Sequence, residues 1–295
     1  GVAGKAGIEI AASNVTIDLG GHALIGVASS LHGVKVASQD ANEVHNITIR
    51  NGSVTGWTNG ILLQQGVSGP TAAETALIEN IQASYNQGFG IHGGPRAVIR
   101  NSTALFNQGI GIYVSGTAEN CASTGNNSYG FFVSKGIVRG SVASENLSYG
   151  FYLNTDSLVK DSTATENRGA GFHALSRVTI ENSFATKNDT WGFYSEFPFF
   201  RVTESTALEN EAGGIKALGE APLVEGNSVT QRNPDEIGIY VGGARASVQR
   251  NTSSAAPVLR SKRSRNAPFR TITEGQPELT VSPGLAVRVV QPWPC

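Results

Sequence analysis

Methionine is absent from this chain and cysteine nearly so, with two in 295 residues. Two cysteines cannot build the disulfide framework of a small secreted domain. Cys121 inside the chain and Cys295 at its end read as a buried small side chain and a free terminal thiol, not as a bridge. No apolar run reaches the roughly eighteen residues that a membrane-crossing helix needs. Neither sign of charge prevails: 22 Lys and Arg stand against 23 Asp and Glu, a net charge of -1. That balance excludes the basic surface of a general nucleic-acid binder. An initiator Met and an export signal are also missing, so a chain opening at Gly1 is expected to be a mature or trimmed form.

What is present is a repeat. An aliphatic residue is followed two residues later by Asn, six later by a second Asn, then by Gly-[Phe/Ile]-x. It is seen as Ile99, Asn101, Asn107, Gly111-Ile112-Tyr113 and again as Ile180, Asn182, Asn188, Gly192-Phe193-Tyr194. The residue after the Gly falls at Ile61, Ile91, Ile112, Phe131, Phe151, Phe172, Phe193, Ile215 and Ile239, at intervals of 30, 21, 19, 20, 21, 21, 22 and 24. A period near 21 means a stack of like units. The unit lacks the leucines of a leucine-rich repeat and is half the length of a propeller blade. The pattern therefore predicts an all-β protein, a single-stranded parallel β-helix of about ten to eleven coils.

Each coil divides into short strands. In Tyr149-Gly150-Phe151-Tyr152-Leu153, alternation puts the first, third and fifth residues on one face, with Phe151 and Leu153 inward like Ile112 and Val114. A second strand runs through Leu158-Val159-Lys160 and a third through the small residues Thr163-Ala164-Thr165. Coils would stack about 4.8 Å apart, like upon like. One turn then carries Asn80, Asn101, Asn120, Asp161, Asn182, Asn227 and Asn251, a residue type that tolerates a left-handed backbone. Another carries Asn86, Asn107, Asn126, Asn146, Asn167, Asn188 and Asn210. The Asn-x-Ser/Thr sequons at Asn101, Asn146 and Asn188 are by-products of this repetition. Glu79, Arg100, Glu119, Arg139, Lys160 and Glu181 precede the first Asn column and predict alternating ion pairs that favour register. The repeat fades after Asn251, which divides the chain into a β-helix over 1–254 and a C-terminal tail or cap over 255–295. The tail holds the basic run 260–265, read as a solvated linker, and β-like runs near 279–281 and 285–290.

The segment Asn14-Val15-Thr16-Ile17-Asp18-Leu19-Gly20-Gly21-His22, followed by Asn…Gly-[Phe/Ile]-Tyr units, resembles the right-handed parallel β-helix proteins of the pectin-lyase-like superfamily over roughly residues 8–252. That resemblance implies the fold and a range of functions: polysaccharide lyases, glycoside hydrolases, uronan epimerases, phage tailspikes, adhesins and accessory proteins. Specific enzyme signatures are missing. There is no Asp-Asp pair, the nearest approach to Gly-His-Gly is Gly90-Ile91-His92-Gly93, and Tyr-Gly-x-Asp-Pro-His does not occur. No cofactor is expected; calcium stays open as the metal that the resemblance admits, though no clear ligand cluster for it stands in the sequence.

One column faces outward just after the repeated Gly-[Phe/Ile]: His92, Tyr113, Phe132, Tyr152, His173, Tyr194, Lys216 and Tyr240. An aromatic row rimmed by polar groups suits an extended glycan. The predicted partner is therefore a polysaccharide or oligosaccharide, met outside the cell, in the periplasm or at the cell surface. His173 between Tyr152 and Tyr194 is the candidate centre, with Asn154, Asp156, Arg177 and Glu196 on neighbouring turns. A lyase would use His173 or a tyrosine as base and acid, with Arg177 or Lys135 neutralising a uronate carboxylate. A hydrolase would use Asp156 and Glu196 as its two carboxylates. Along the row, His92, Tyr113, Phe132, Asn154, Lys135 and Tyr240 would bind substrate, and His22 and His92 are alternative histidines. A non-catalytic glycan-binding or structural surface module fits the same row.

Overall fold

The computed structural model describes residues 1–37, 44–63, 75–231, 237–254 and, for the backbone alone, 258–259. Its strands form one continuous parallel ladder that winds into a β-helix of about 10 turns. Among the described residues there is no helix. The basic run 260–265, the β-like runs near 279–281 and 285–290, and Cys295 lie outside them.

Each regular coil has three strands, seen in Phe151–Leu153, Leu158–Lys160 and Thr163–Thr165. The register repeats from coil to coil: Phe151 pairs with Phe172, Val159 with Ile180 and Ala164 with Ala185. Like therefore lies upon like. Inside, Phe131, Phe151, Phe172 and Phe193 form a stack with ring centroids 4.7–5.0 Å apart. The facing alanines, Ala143, Ala164, Ala185 and Ala207, are fully buried and leave room for those rings. Large residues on one face and small ones on the other fill a narrow tube without voids.

The second Asn column is a hydrogen-bonded ladder inside this tube. From Asn86 to Asn210 every member is at most 1% exposed. Each side-chain amide up to Asn188 donates to the Oδ1 of the next, at 2.8–3.0 Å. The same Oδ1 atoms accept backbone N–H groups, as from Asn146 N to Asn167 (3.1 Å). The ladder's buried amides are thus paired, and Asn146 and Asn188 have no free amide to carry a glycan. The glycine after this column is required by space: a Cβ on Gly150 would lie 2.7 Å from the Gly171 carbonyl and 2.8 Å from the Asn167 amide. At the N-terminal end Trp57, also buried, closes the ladder by donating its N–H to Asn86 Oδ1 (3.0 Å) and its indole N–H to Leu24 O (2.9 Å).

The first Asn column holds left-handed residues, with φ of 53° at Asn80, 49° at Asn101, 51° at Asn120, 52° at Asp161 and 43° at Asn182. Asn227 and Asn251, expected there, stand one position later. They continue a buried serine column in which Ser205 N donates to Asn227 Oδ1 and Asn227 N to Asn251 Oδ1, each at 2.9 Å. Each of these two Asn stands three residues after its paired aliphatic residue, Val224 or Val248, whereas Asn182 stands two after Ile180. The predicted charge ladder is present as Arg100–Glu79 (2.6 Å), Lys160–Glu181 (3.6 Å) and Arg139–Glu119 (3.9 Å). These exposed pairs are worth about 0–1 kcal/mol each. Val258–Leu259 add a further rung against Tyr240 and Val241, beyond residue 254. Cys121 is a buried thiol, pushed by burial up to a pKa of about 11.

Candidate functional site

The outward column of rings forms a stack that is interrupted once. Tyr113 stacks on His92 (4.2 Å between ring centroids) and on Phe132 (4.8 Å), and Phe132 on Tyr152 (5.3 Å). At His173 the stacking breaks: its ring stands edge-on to Tyr152, at 79° and 5.2 Å. Beyond the break His173 stacks on Tyr194 (5.0 Å, 19°), and the Lys216 ammonium sits 4.9 Å from the Tyr194 ring centre. Rings stacked face to face give their faces to one another and offer solvent only edges and hydroxyl groups. From His92 to Tyr152 the row is therefore a poor sugar-stacking platform. His92, expected among the exposed members, is only 8% exposed. Its burial lowers its pKa to about 4, so it stays neutral.

A second ring column lies beside the first and was not read from the sequence. Tyr149 was expected inward with Phe151, yet its ring lies outside, 4.5 Å from His173 and 5.9 Å from Tyr152. The strand begins only at Phe151, after the buried Gly150, so alternation does not extend back to Tyr149. Tyr129 stacks on both Tyr149 (5.7 Å) and Tyr152 (4.7 Å), and Phe89 meets His92 edge-on (5.3 Å). Trp191 closes the column, with Lys216 5.7 Å from its ring centre. Gly213 lies beneath it with φ of 149°, where a Cβ would come 2.4 Å from the indole. The legible signal was the residue immediately before each repeated Gly: Phe89, Tyr129, Tyr149 and Trp191.

The charged candidates divide into two groups. Asp156 and Arg177 bind each other, with Nε to Oδ1 at 2.5 Å and Nη2 to Oδ2 at 2.9 Å. Both occupy a left-handed turn column that also holds Lys135, with φ of 55–58°. The Arg177 guanidinium holds the Asp156 carboxyl below its ordinary value. Asp156 is thus not brought together with Glu196, and Arg177 is not free to neutralise a substrate. Glu196 instead faces Lys216 (Oε1 to Nζ, 3.8 Å), and its charge acts on the Tyr194 phenol. Burial first, and then Glu196, push the Tyr194 phenol well up, so it stays protonated. Burial lowers the pKa of His173 against the pull of Glu196, and its Nδ1 is buried with no partner among the described residues. Asn154 turns its Oδ1 to the N–H of Thr155 (2.8 Å), and Tyr240 is half-buried beside Lys216. His22 is exposed on the turn before Ala23–Ile25, outside the row.

The model of the right-handed β-helix region matches residues 32–185. The chain belongs to that right-handed β-helix family. Its fold is the pectin-lyase-like one. No curated protein matches it. Among solved structures, this β-helix is similar to the A-module of mannuronan C-5 epimerase AlgE4 from Azotobacter vinelandii, at 15% identity and a TM-score of 0.56. That match covers 92% of this chain and 91% of the other. It is similar also to the Dettilon tailspike protein, at 13% identity and a TM-score of 0.55, over 87% of this chain. A third is the enzymatically active domain of bacteriophage CBA120 tailspike protein 2, at 12% identity and a TM-score of 0.54, over 86% of this chain. This β-helix spans 61% and 48% of those two tailspike chains. At such identities the likeness is one of fold.

Among the described residues, no three His, Cys, Asp or Glu side chains converge to hold a metal ion. An open groove elsewhere is lined by Asn51, Asn80, Asn101, Gln82 and Thr103. Asn51 and Asn80 there already bond to each other (3.2 Å), so the groove belongs to the turn ladder. The β-helix thus brings four chemically distinct groups to one patch. They are a neutral imidazole, a protonated phenol, an ammonium and a single carboxylate.

Proposed function

We propose that this β-helix is a carbohydrate-active protein that lays an acidic polysaccharide across the patch at His173 and removes the proton beside a uronate carboxylate. The supporting observation is the break in the ring stack, where His173, Tyr194, Glu196 and Lys216 meet. With Nδ1 buried, only Nε2 of the neutral His173 can reach a substrate, and a neutral imidazole is a competent base. Lys216, more loosely paired than Arg177, neutralises the carboxylate whose charge spreads as the proton leaves. The protonated Tyr194 hydroxyl serves as the acid: in elimination it protonates the glycosidic oxygen as the C–O bond breaks, and in epimerisation it returns a proton to the same carbon from the opposite face. A hydrolase would need two carboxylates about 5–9.5 Å apart, whereas Asp156 is bound to Arg177 and leaves Glu196 alone. Elimination or epimerisation is accordingly favoured over hydrolysis. Such substrates place the protein outside the cytoplasm.

A non-catalytic glycan-binding or structural surface module is the second reading, and the closed ring stack from His92 to Tyr152 favours its structural form. The test is incubation with polyuronates and neutral polysaccharides, scoring unsaturated ends, reducing ends and inverted uronates. Wild type should form unsaturated ends or inverted residues, and His173→Ala should abolish them while remaining folded. Undiminished turnover by purified His173→Ala would sink the assignment of the base. Saturable binding without product would favour the second reading.

A further inference from the structure

The turn that follows the row changes length along the stack. It covers five steps from Leu153 to Leu158 and from Ala174 to Thr179, but six from Ser195 to Arg201, positions that the ladder holds in register. The added length falls beside the His173 patch and carries Glu196-Phe197-Pro198-Phe199. Phe197 is 42% and Phe199 49% exposed, while Phe200 turns into the core. Phenylalanines, alanines and asparagines elsewhere stack on their own kind, yet among the described residues these two rings meet no ring. The positions one coil on are Gly219 and Ala221, too small to cover them.

The segment is held in place. Phe197 N donates to Ser195 Oγ (3.2 Å) and Phe199 N to Glu220 O (2.8 Å). Phe199 has φ of 60°, the left-handed conformation of the turn column that also holds Lys135, Asp156 and Arg177, and that column fixes the direction of its ring. Two exposed aromatic rings on a fixed turn, next in sequence to a carboxylate that contacts Lys216, match the chemistry of a pyranose. Its C–H face is apolar and its edges are polar.

We propose that Phe197 and Phe199 form the sugar-stacking subsite of this protein, taking one pyranose of the chain whose neighbour lies at His173. The inference rests on the polysaccharide reading above. It also assigns the open aromatic faces that the stacked row lacks to a segment outside the row.

Binding of hexamers of galacturonate, mannuronate and glucose, measured by titration calorimetry on the full chain, tests it. Phe197→Ala/Phe199→Ala should raise the Kd of the bound hexamer at least about tenfold, and Phe197→Trp should restore most of the affinity. Phe106→Ala, which removes a similarly exposed ring on another turn, should leave Kd unchanged. Phe199→Gly removes the ring and relieves the left-handed backbone, so it should weaken binding with Tm equal or higher. Unchanged affinity in the double variant overturns the subsite, as does an equal loss in Phe106→Ala or a lower Tm with intact binding in Phe199→Gly. Binding by wild type without turnover leaves the subsite standing and removes only the catalytic reading. No binding of any hexamer by wild type overturns both.

Discussion

Replacing Asn167 by Ala cuts the buried amide ladder at its middle. The Asn167 amide donates to Asn188 Oδ1 (2.9 Å), Ala143 O (3.1 Å) and Thr165 O (3.1 Å). Its Oδ1 accepts from the side-chain and backbone nitrogens of Asn146, at 2.9 and 3.1 Å. Alanine removes all of these. Some partners keep a second bond: Asn188 Oδ1 still accepts from Asn167 N, and the Asn146 amide still donates to Ser123 O. The Asn146 N–H and the Ala143 carbonyl lose the partner described, while Thr165 O still accepts from Glu145 N (3.1 Å). Each buried polar group left unpaired costs about 1–3 kcal/mol, and the small cavity adds to it. With two such groups left bare, the expected destabilisation is about 3–4 kcal/mol. Urea unfolding at unchanged m-value measures it. Hydrogen exchange should quicken chiefly in the coils around Asn146 and Asn188, because each coil contacts only its neighbours. Asn127→Ala, at an exposed position one residue after the ladder, should stay within about 0.5 kcal/mol. A loss below about 1 kcal/mol for Asn167→Ala would refute a structural role for the ladder.

Phe172→Ala removes a fully buried ring stacked on both neighbours and should cost about 3–5 kcal/mol by thermal or urea unfolding. Stability should fall as pH drops from 6.5 towards 4. The His92 pKa is depressed from 6.5 to about 4 on folding, so the unfolded chain binds the extra proton within that window. The stabilisation is fully present above 6.5, and its loss amounts to about 3 kcal/mol by pH 4; His92→Leu should flatten the slope. The lowered Asp18 and Asp156 carboxyls titrate below that window. Lys216→Met should raise KM at least about tenfold for an acidic polysaccharide while sparing affinity for a neutral one, as steady-state kinetics and titration would show.

The period near 21 made the architecture readable, because a stack repeats its core, turn and ion-pair positions in sequence order. The Phe151 column, the Asn146 ladder and the Glu79–Arg100 pair follow from it directly. What escaped depends on local departures from the period. Asn227 and Asn251 fell in the other column because they stand three residues, not two, after the aliphatic residue of their coil. Tyr149 left the core because Gly150 ends the alternation. Asp156 and Arg177 looked like catalytic groups until the turn column showed them as consecutive rungs. Glu196 and Lys216 meet because register sets their positions one coil apart, just beyond and within the row. Ring orientation was the hardest to foresee. A list of outward aromatics does not say that His92, Tyr113, Phe132 and Tyr152 close their faces on one another, or that the stack opens at His173.

Proton NMR of a polyuronate incubated with the protein in deuterium oxide tests proton abstraction at His173 most directly, since it reads both unsaturated ends and deuterium entering at the carbon beside the carboxylate. Wild type should produce one or the other, and His173→Ala neither, with its fold intact by circular dichroism. New reducing ends with neither signal, or identical spectra from wild type and His173→Ala, would contradict it.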